Sequence, residues 1–183
     1  NPLKANTFLL WKGGDVKNFE LRASFRLTGQ KDKAFGNSGV QYRSHVIDAA
    51  GFVLGGYQMD MDLAGRYVGM LYEEKGRGIL MQPGQTIRIG AMPDGQKKAP
   101  VEGVATTAKP AEILAAYKIG EWNEIAIVAQ GNHLRHFLNG KLTADVTDND
   151  AAKGAASGVL GLQLHAGTPM TIQFKNIRLK PLP

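Results

Sequence analysis

The sequence predicts an all-β sandwich, and three observations carry that reading. Residues 19–27 alternate with period two, placing Phe19, Leu21, Ala23, Phe25 and Leu27 on one face and Glu20, Arg22, Ser24 and Arg26 on the other. Asn139 and Gly140 stand between two β-like runs and both tolerate positive φ, which suits a two-residue hairpin. The chain carries 23 glycines among short β-like runs, and a helix signal occurs only at residues 110–117.

In chain order, TFLLW within residues 1–14 reads as an edge strand, or as a loop whose Trp11 covers the core. The clean alternation of 19–27 is followed by a polar loop at 29–37. Residues 38–44, SGVQYRS, direct Val40 and Tyr42 inward and Gly39, Gln41 and Arg43 the other way. Residues 45–54 read as an irregular connection. Residues 55–62 alternate again, with Tyr57, Met59 and Met61 on one face and Gln58, Asp60 and Asp62 on the other. After a turn at 62–66, the run 68–74 brings Glu73 nearby. Residues 76–108 have weak periodicity and hold one β-like piece, 86–90; they read as long connections over a cleft, with a loop at 93–103. Pro110 suits a first helical turn, so 110–117 is a short connecting helix. Residues 121–130, 133–138 and 141–146 are strands. Residues 158–165 place Leu160, Leu162 and Leu164 inward and Val159, Gly161, Gln163 and His165 outward. In the last strand, 171–179, the apolar phase changes near Lys175 and Asn176, which predicts a bulge.

The totals narrow the function. A length of 183 residues and a 43% apolar fraction suit one domain with its own core. The absence of cysteine excludes disulfides and thiolate chemistry. The net charge of +6 is spread along the chain, with only Lys97 and Lys98 adjacent among the lysines and no basic–aromatic module, so nucleic acid is not the expected partner. No apolar run approaches the ~20 residues of a membrane span, and no signal peptide is visible. The chain opens at Asn1 and not at Met, so it is read as processed or trimmed.

The outward groups form the candidate site. Gln41, Arg43, Gln58, Asp60, Asp62, Glu73, Gln163 and His165 would gather carboxylates, amides, a guanidinium and an imidazole on one face, a set suited to a hydroxyl-rich saccharide. Tyr67 and Trp122 are available to cover a sugar ring. Arg43 could instead pair structurally with Asp60 or Asp62. Successive same-face positions set Asp60 and Asp62 about 6.5–7 Å apart, which fits either class of glycosidase. The pair also suits a hard cation such as calcium, although no dedicated loop motif accompanies it.

The ordered series FELRASFRL, GNSGVQYRS, GGYQMDMD, GMLYEE, GEWNEIAIVAQGNHLRHFLNGKLTADVTD, GVLGLQLHAG and IQFKNIRLKPL resembles the 3-keto-disaccharide hydrolase family, once described as a domain of unknown function and a glycosyl hydrolase. The resemblance runs from Thr7 to the end. It departs at the start, where the phenylalanine-rich, glycine-containing opening segment of family members is not seen. It implies a concanavalin A-like jelly-roll of two antiparallel sheets, bacterial extracytoplasmic saccharide metabolism in the periplasm or outside the cell, and hydrolysis of glycosides oxidised at C3. On that chemistry Asp60 or Glu73 would be the base, Arg43 and His165 would sit near the enolate oxygen, and Gln58 and Gln163 would bind hydroxyls. A non-catalytic carbohydrate-binding module and a conventional two-carboxylate glycosidase are the competing readings.

Overall fold

The computed structural model describes residues 3–29, 35–93, 96 and 100–183. The adjacent Lys97 and Lys98, and the middles of the loops read at 29–37 and 93–103, lie outside the described residues. The alternating segments form two stacked sheets. The six-stranded sheet is built from β1 (Thr7–Leu10), β3 (Asn37–Asp48), β4 (Val53–Asp62), β5 (Leu71–Glu74), β6 (Gly78–Met81) and β12 (Val159–Leu164), in the order β1-β12-β3-β4-β5-β6. The seven-stranded sheet contains β2 (Phe19–Gly29), β7 (Gln85–Ile89), β8 (Val101–Thr106), β9 (Asn123–Gln130), β10 (His133–Leu138), β11 (Lys141–Asp148) and β13 (Met170–Pro181), in the order β13-β2-β9-β10-β11-β7-β8. Both sheets are antiparallel except where β7 runs parallel to β11. Among the described residues the one helix, α1 (Pro110–Ala116), starts at its proline and buries Ile113; the Glu112 side chain accepts the Lys109 N–H at 2.9 Å.

The core lies between the sheets. Val40, Tyr42, Tyr57, Met59, Met61 and Leu71 from one layer meet Phe19, Leu21, Phe25, Leu27, Ile127 and Leu134 from the other. Each such side chain contributes roughly 1.5–3 kcal/mol by leaving water. The seam also holds a partnered polar pair, Tyr42 and His136. The Tyr42 hydroxyl donates to His136 Nε2 at 2.9 Å, while Nδ1–H of the same ring donates to the Gly69 carbonyl at 3.2 Å. Burial pulls the His136 pKa down to about 4, so the ring is neutral at pH 7.

Several segments differ from the sequence reading. Residues 45–54 are not an irregular connection: β3 and β4 continue as a bulged hairpin, with register breaks between Tyr42 and His45 and between Val46 and Asp48. Arg43 at φ 46° and Gly56 at φ 137° make the bend. Residues 76–108 hold three strands, because β6, β7 and β8 borrow their order from neighbours and not from internal periodicity. Trp11 is 46% exposed and does not cover the core, and Leu164 faces outward. The bulge in β13 falls where the apolar phase changes, with Asn176 at φ 54°. Asn139 and Gly140 both take positive φ in the hairpin joining β10 and β11.

Candidate functional site

The outer face of the six-stranded sheet carries a buried polar floor. In register, Gly161 stands opposite Gln41, Gln41 opposite Gln58, and Gln58 opposite Tyr72; in the next row Gly39 stands opposite Asp60. The sheet is strongly curled. From β1 to β5 is four strand spacings, about 19 Å in a flat sheet, yet Asn6, beside the start of β1, reaches Glu74 of β5 with Nδ2 to Oε2 at 3.4 Å. Gln163 Nε2 approaches the same oxygen at 3.5 Å. At one end the β3–β4 hairpin folds over, and its Phe52 carbonyl accepts the Phe8 N–H at 3.0 Å. There Leu54 and Phe8, both buried, close the corner above Gly161. Asn37, Tyr72 and His165 are half-buried at the rim.

A directed chain of hydrogen bonds crosses the floor. The Ser44 hydroxyl donates to Gln41 Oε1 at 2.5 Å, Gln41 Nε2 to Gln58 Oε1 at 3.1 Å, and Gln58 Nε2 to Asp60 Oδ1 at 2.8 Å. Asn37 Nδ2 donates to the other Asp60 oxygen at 3.3 Å. Asp60 is only 3% exposed. Burial pushes its carboxyl up to about 7, against the pull of Gln58 and Asn37, and the nearby Asp62 charge adds to the rise. Tyr72 is raised by desolvation and then by the charges of Glu74 and Asp60, so its hydroxyl shares their neighbourhood. Gln163 Oε1 is buried and, among the described residues, has no hydrogen-bond partner, which leaves an acceptor open to a donor.

The sequence pattern of the 3-keto-alpha-glucoside-1,2-lyase-like domain matches residues 1–180. The chain belongs to this family. Structures similar to this chain include carbohydrate-binding module CBM66 from Bacillus subtilis, at 16% identity and TM-score 0.58, covering 97% of this chain and 83% of the module. A Parabacteroides distasonis protein provisionally described as a glycosyl hydrolase has 20% identity and TM-score 0.58, over 97% of this chain and 84% of that one. A second such protein from the same organism has 15% identity and TM-score 0.56, over 99% and 79%. At these identities the likeness is one of fold, a jelly-roll sandwich. No curated protein is similar enough in sequence to count as a relative.

The family member's polar face does not hold all the side chains that alternation assigned to it. Gln41, Gln58, Asp60 and Gln163 share it, and His165 lies at its rim. There His165 Nδ1 donates to the Ala166 carbonyl at 2.6 Å, and the ring meets Phe35 edge-on. Arg43 does not share it. Its left-handed backbone in the bulge sends the guanidinium to the end of the sandwich, where it donates to the carbonyls of Lys17 at 2.7 Å and Gly131 at 2.7 Å. It therefore pairs with neither Asp60 nor Asp62. Glu73 shares the inward face of Tyr57, its register partner, and binds Arg77. Asp62 fastens the following loop by accepting the N–H groups of Arg66 at 3.0 Å and Tyr67 at 2.7 Å. Tyr67 lies in that loop with the Arg66 guanidinium over its ring. Trp122 is on the other sheet, against Arg26 and Lys175. Asp60 and Asp62 thus take separate partners and form no shared cation seat. Among the described residues no three His, Asp or Glu side chains are grouped to hold a metal ion.

Sequence reasoning missed Glu74, Tyr72, Asn37, Asn6 and Ser44. The first two were readable: Leu71 faces the core, so period two sends Glu73 inward and Tyr72 and Glu74 outward. Gly39 is a further requirement, because a Cβ there would lie 2.4 Å from Gln58 Cδ. Gly39→Ala should push the Gln58 amide off Asp60 and cost about 1–3 kcal/mol by overpacking. Urea unfolding measures this, and adding Gln58→Ala should recover most of the loss. A neutral Gly39→Ala would show that Gln58 is not held by contact with residue 39.

Proposed function

We propose that this domain catalyses elimination across C1 and C2 of 3-keto-α-glucosides, with Asp60 as the base. The observation that supports this most is a buried carboxyl with a pKa of about 7, held by amides on a curled face that also carries a second carboxylate. A base titrating near neutral pH combines availability with strength. The C3 ketone acidifies the C2 proton, which Asp60 takes. The electron pair delocalises as the C3 enolate, then forms the C1–C2 double bond as the C1–O bond breaks. The aglycone oxygen takes up the proton held by Asp60, leaving an unsaturated 3-ketone. Water adding across that double bond would complete hydrolysis. Gln163 Oε1, without a partner among the described residues, and the Gln58 and Asn37 amides are the groups we assign to sugar hydroxyls and the enolate oxygen. His165 at the rim is assigned to the same ligand. Arg43 and Glu73 drop out of the mechanism because their side chains are engaged elsewhere. An extracytoplasmic bacterial setting fits this substrate class, and no helix among the described residues is long and apolar enough to cross a membrane.

The test is incubation of the protein in D₂O with a 3-keto-α-glucoside and, separately, with the unoxidised glucoside. The expected result, from the keto sugar alone, is aglycone release with deuterium at C2 of the unreacted substrate by exchange and of the hydrated product. Both should fall by about 10²–10⁴ in Asp60→Asn. Binding of an intact glycan without release or exchange would replace this reading with that of a carbohydrate-binding module. Release from the unoxidised glucoside would point instead to a conventional glycosidase.

A further inference from the structure

The outer face of the seven-stranded sheet, on the opposite side of the sandwich from Asp60, carries an unbalanced set of cations. In the register of β13 on β2, Arg178 stands directly opposite Arg22, and Lys180 opposite Glu20. Like charges facing each other across an antiparallel pair are destabilising. Glu20 engages Arg22 at 2.5 Å. Among the described residues no carboxylate lies within ion-pair distance of Arg26, Lys175, Arg178 or Lys180. Arg26 and Lys175 instead lie against the Trp122 ring, at 5.2 and 4.0 Å from its centroid. Two shallow depressions run together on this face. One is walled by Arg22, Arg178 and Phe137, the other by Trp122 and Lys175, and they share Ser24, Glu124 and Asn176.

We propose that this face binds an acidic oligosaccharide, a glycan whose sugars carry carboxylate or sulfate groups. Guanidinium groups fork onto such oxyanions, and an anion seated between Arg22 and Arg178 would relieve their repulsion. Aromatic rings offer apolar surface to a pyranose face, and Ser24 and Asn176 offer partners for hydroxyls. Glu20 and Glu124 stand among the cations in the same depression. They suit a glycan, which alternates charge with hydroxyls, and oppose a continuous phosphate backbone. This inference is independent of the role given to Asp60.

The test is titration of the intact chain by calorimetry with an oligogalacturonate, a neutral glucan of equal length and a single-stranded DNA oligonucleotide, at low and moderate salt. The oligogalacturonate should bind at least tenfold more tightly than either competitor and weaken as salt rises. Arg178→Glu should lose at least tenfold and Trp122→Ala several-fold, while Asp60→Asn stays within twofold of the parent. Arg178→Gln removes the opposed charge, so its melting temperature should hold or rise, and the acidic glycan should protect it less than the parent. Equal binding of the neutral glucan, tighter binding of DNA, no binding of the acidic glycan, or undiminished binding by Arg178→Glu would each overturn the proposal.

Discussion

Asp60→Asn is expected to stabilise the fold at pH 8 while removing activity. Burial raises the Asp60 carboxyl to about 7 from an ordinary 3.8. Below pH about 4 the group is protonated both folded and unfolded, and the ionisation contributes nothing. Between about 4 and 7 the native state keeps the proton that the unfolded chain has lost, so stability falls as pH rises. Above 7 both states are ionised, and the native state bears the full penalty, on the order of 4 kcal/mol. An amide carries no charge and escapes this. Its NH₂ would face the Asn37 amide, but that contact is already long at 3.3 Å and Asn37 can turn its oxygen inward. The gain over the parent should therefore reach a few kcal/mol at pH 8 and vanish near pH 4, as read from urea midpoints. In the same pH series the parent's turnover of a 3-keto-α-glucoside should rise through pH about 7 as the base ionises. An Asp60→Asn protein that is less stable than the parent at pH 8 would show that the carboxylate is comfortable where it sits.

The polar floor explains why such a penalty is tolerated. The chain from Ser44 through Gln41 and Gln58 runs donor to acceptor in one direction and ends on Asp60. Each member polarises the next, so the ionised carboxylate is better solvated by its neighbours than burial alone would allow. The curl that brings Asn6 and Gln163 to Glu74 excludes water from the same floor. One bend in the sheet thus sets both the pKa and the enclosure of the site.

The sandwich was legible because its strands bury one face each and the period of two is written in Phe19, Leu21, Phe25 and Leu27, and again in Tyr57, Met59 and Met61. The amide-rich side of β4 followed from the same phase. What could not be read was curvature. Nothing in SGVQYRSH announces that Arg43 adopts positive φ, and that one residue removes its own guanidinium from the site and folds the β3–β4 hairpin toward β1. Trp122 was misplaced for a related reason: its sequence neighbourhood names a strand but not which sheet that strand joins. Glu73 is different, because Leu71 two residues earlier already fixed its direction.

Arg77 should prove the most costly single side chain to remove. It sits in the turn after β5, and its side chain is 8% exposed. Nε donates to Glu73 Oε2 at 2.7 Å, Nη2 donates to Asp148 Oδ2 at 2.6 Å, and Nη1 lies 3.6 Å from Asp150 Oδ2. Asp148 also accepts the Tyr57 hydroxyl at 2.5 Å, tying the cluster to the aromatic seam of the core. Burial alone would lower the Arg77 pKa, but the bonds to Asp148 and Glu73 outweigh it and raise it. Arg77→Met keeps most of the volume and deletes the cation that Glu73, Asp148 and Asp150 share, leaving three carboxylates in a nearly dry pocket. Breaking a buried pair from one side costs about 3–5 kcal/mol, a large part of the roughly 5–15 kcal/mol that holds a domain together. Arg77→Lys keeps the charge but cannot fork onto Glu73 and Asp148 together, so an intermediate loss is expected. If the cost lies in the stranded charges, combining Arg77→Met with Glu73→Gln, Asp148→Asn and Asp150→Asn should recover much of it. Denaturant midpoints for this series decide the matter: a loss below about 1 kcal/mol for Arg77→Met, or no recovery in the neutralised protein, would mean that packing and not charge secures this end of the sandwich.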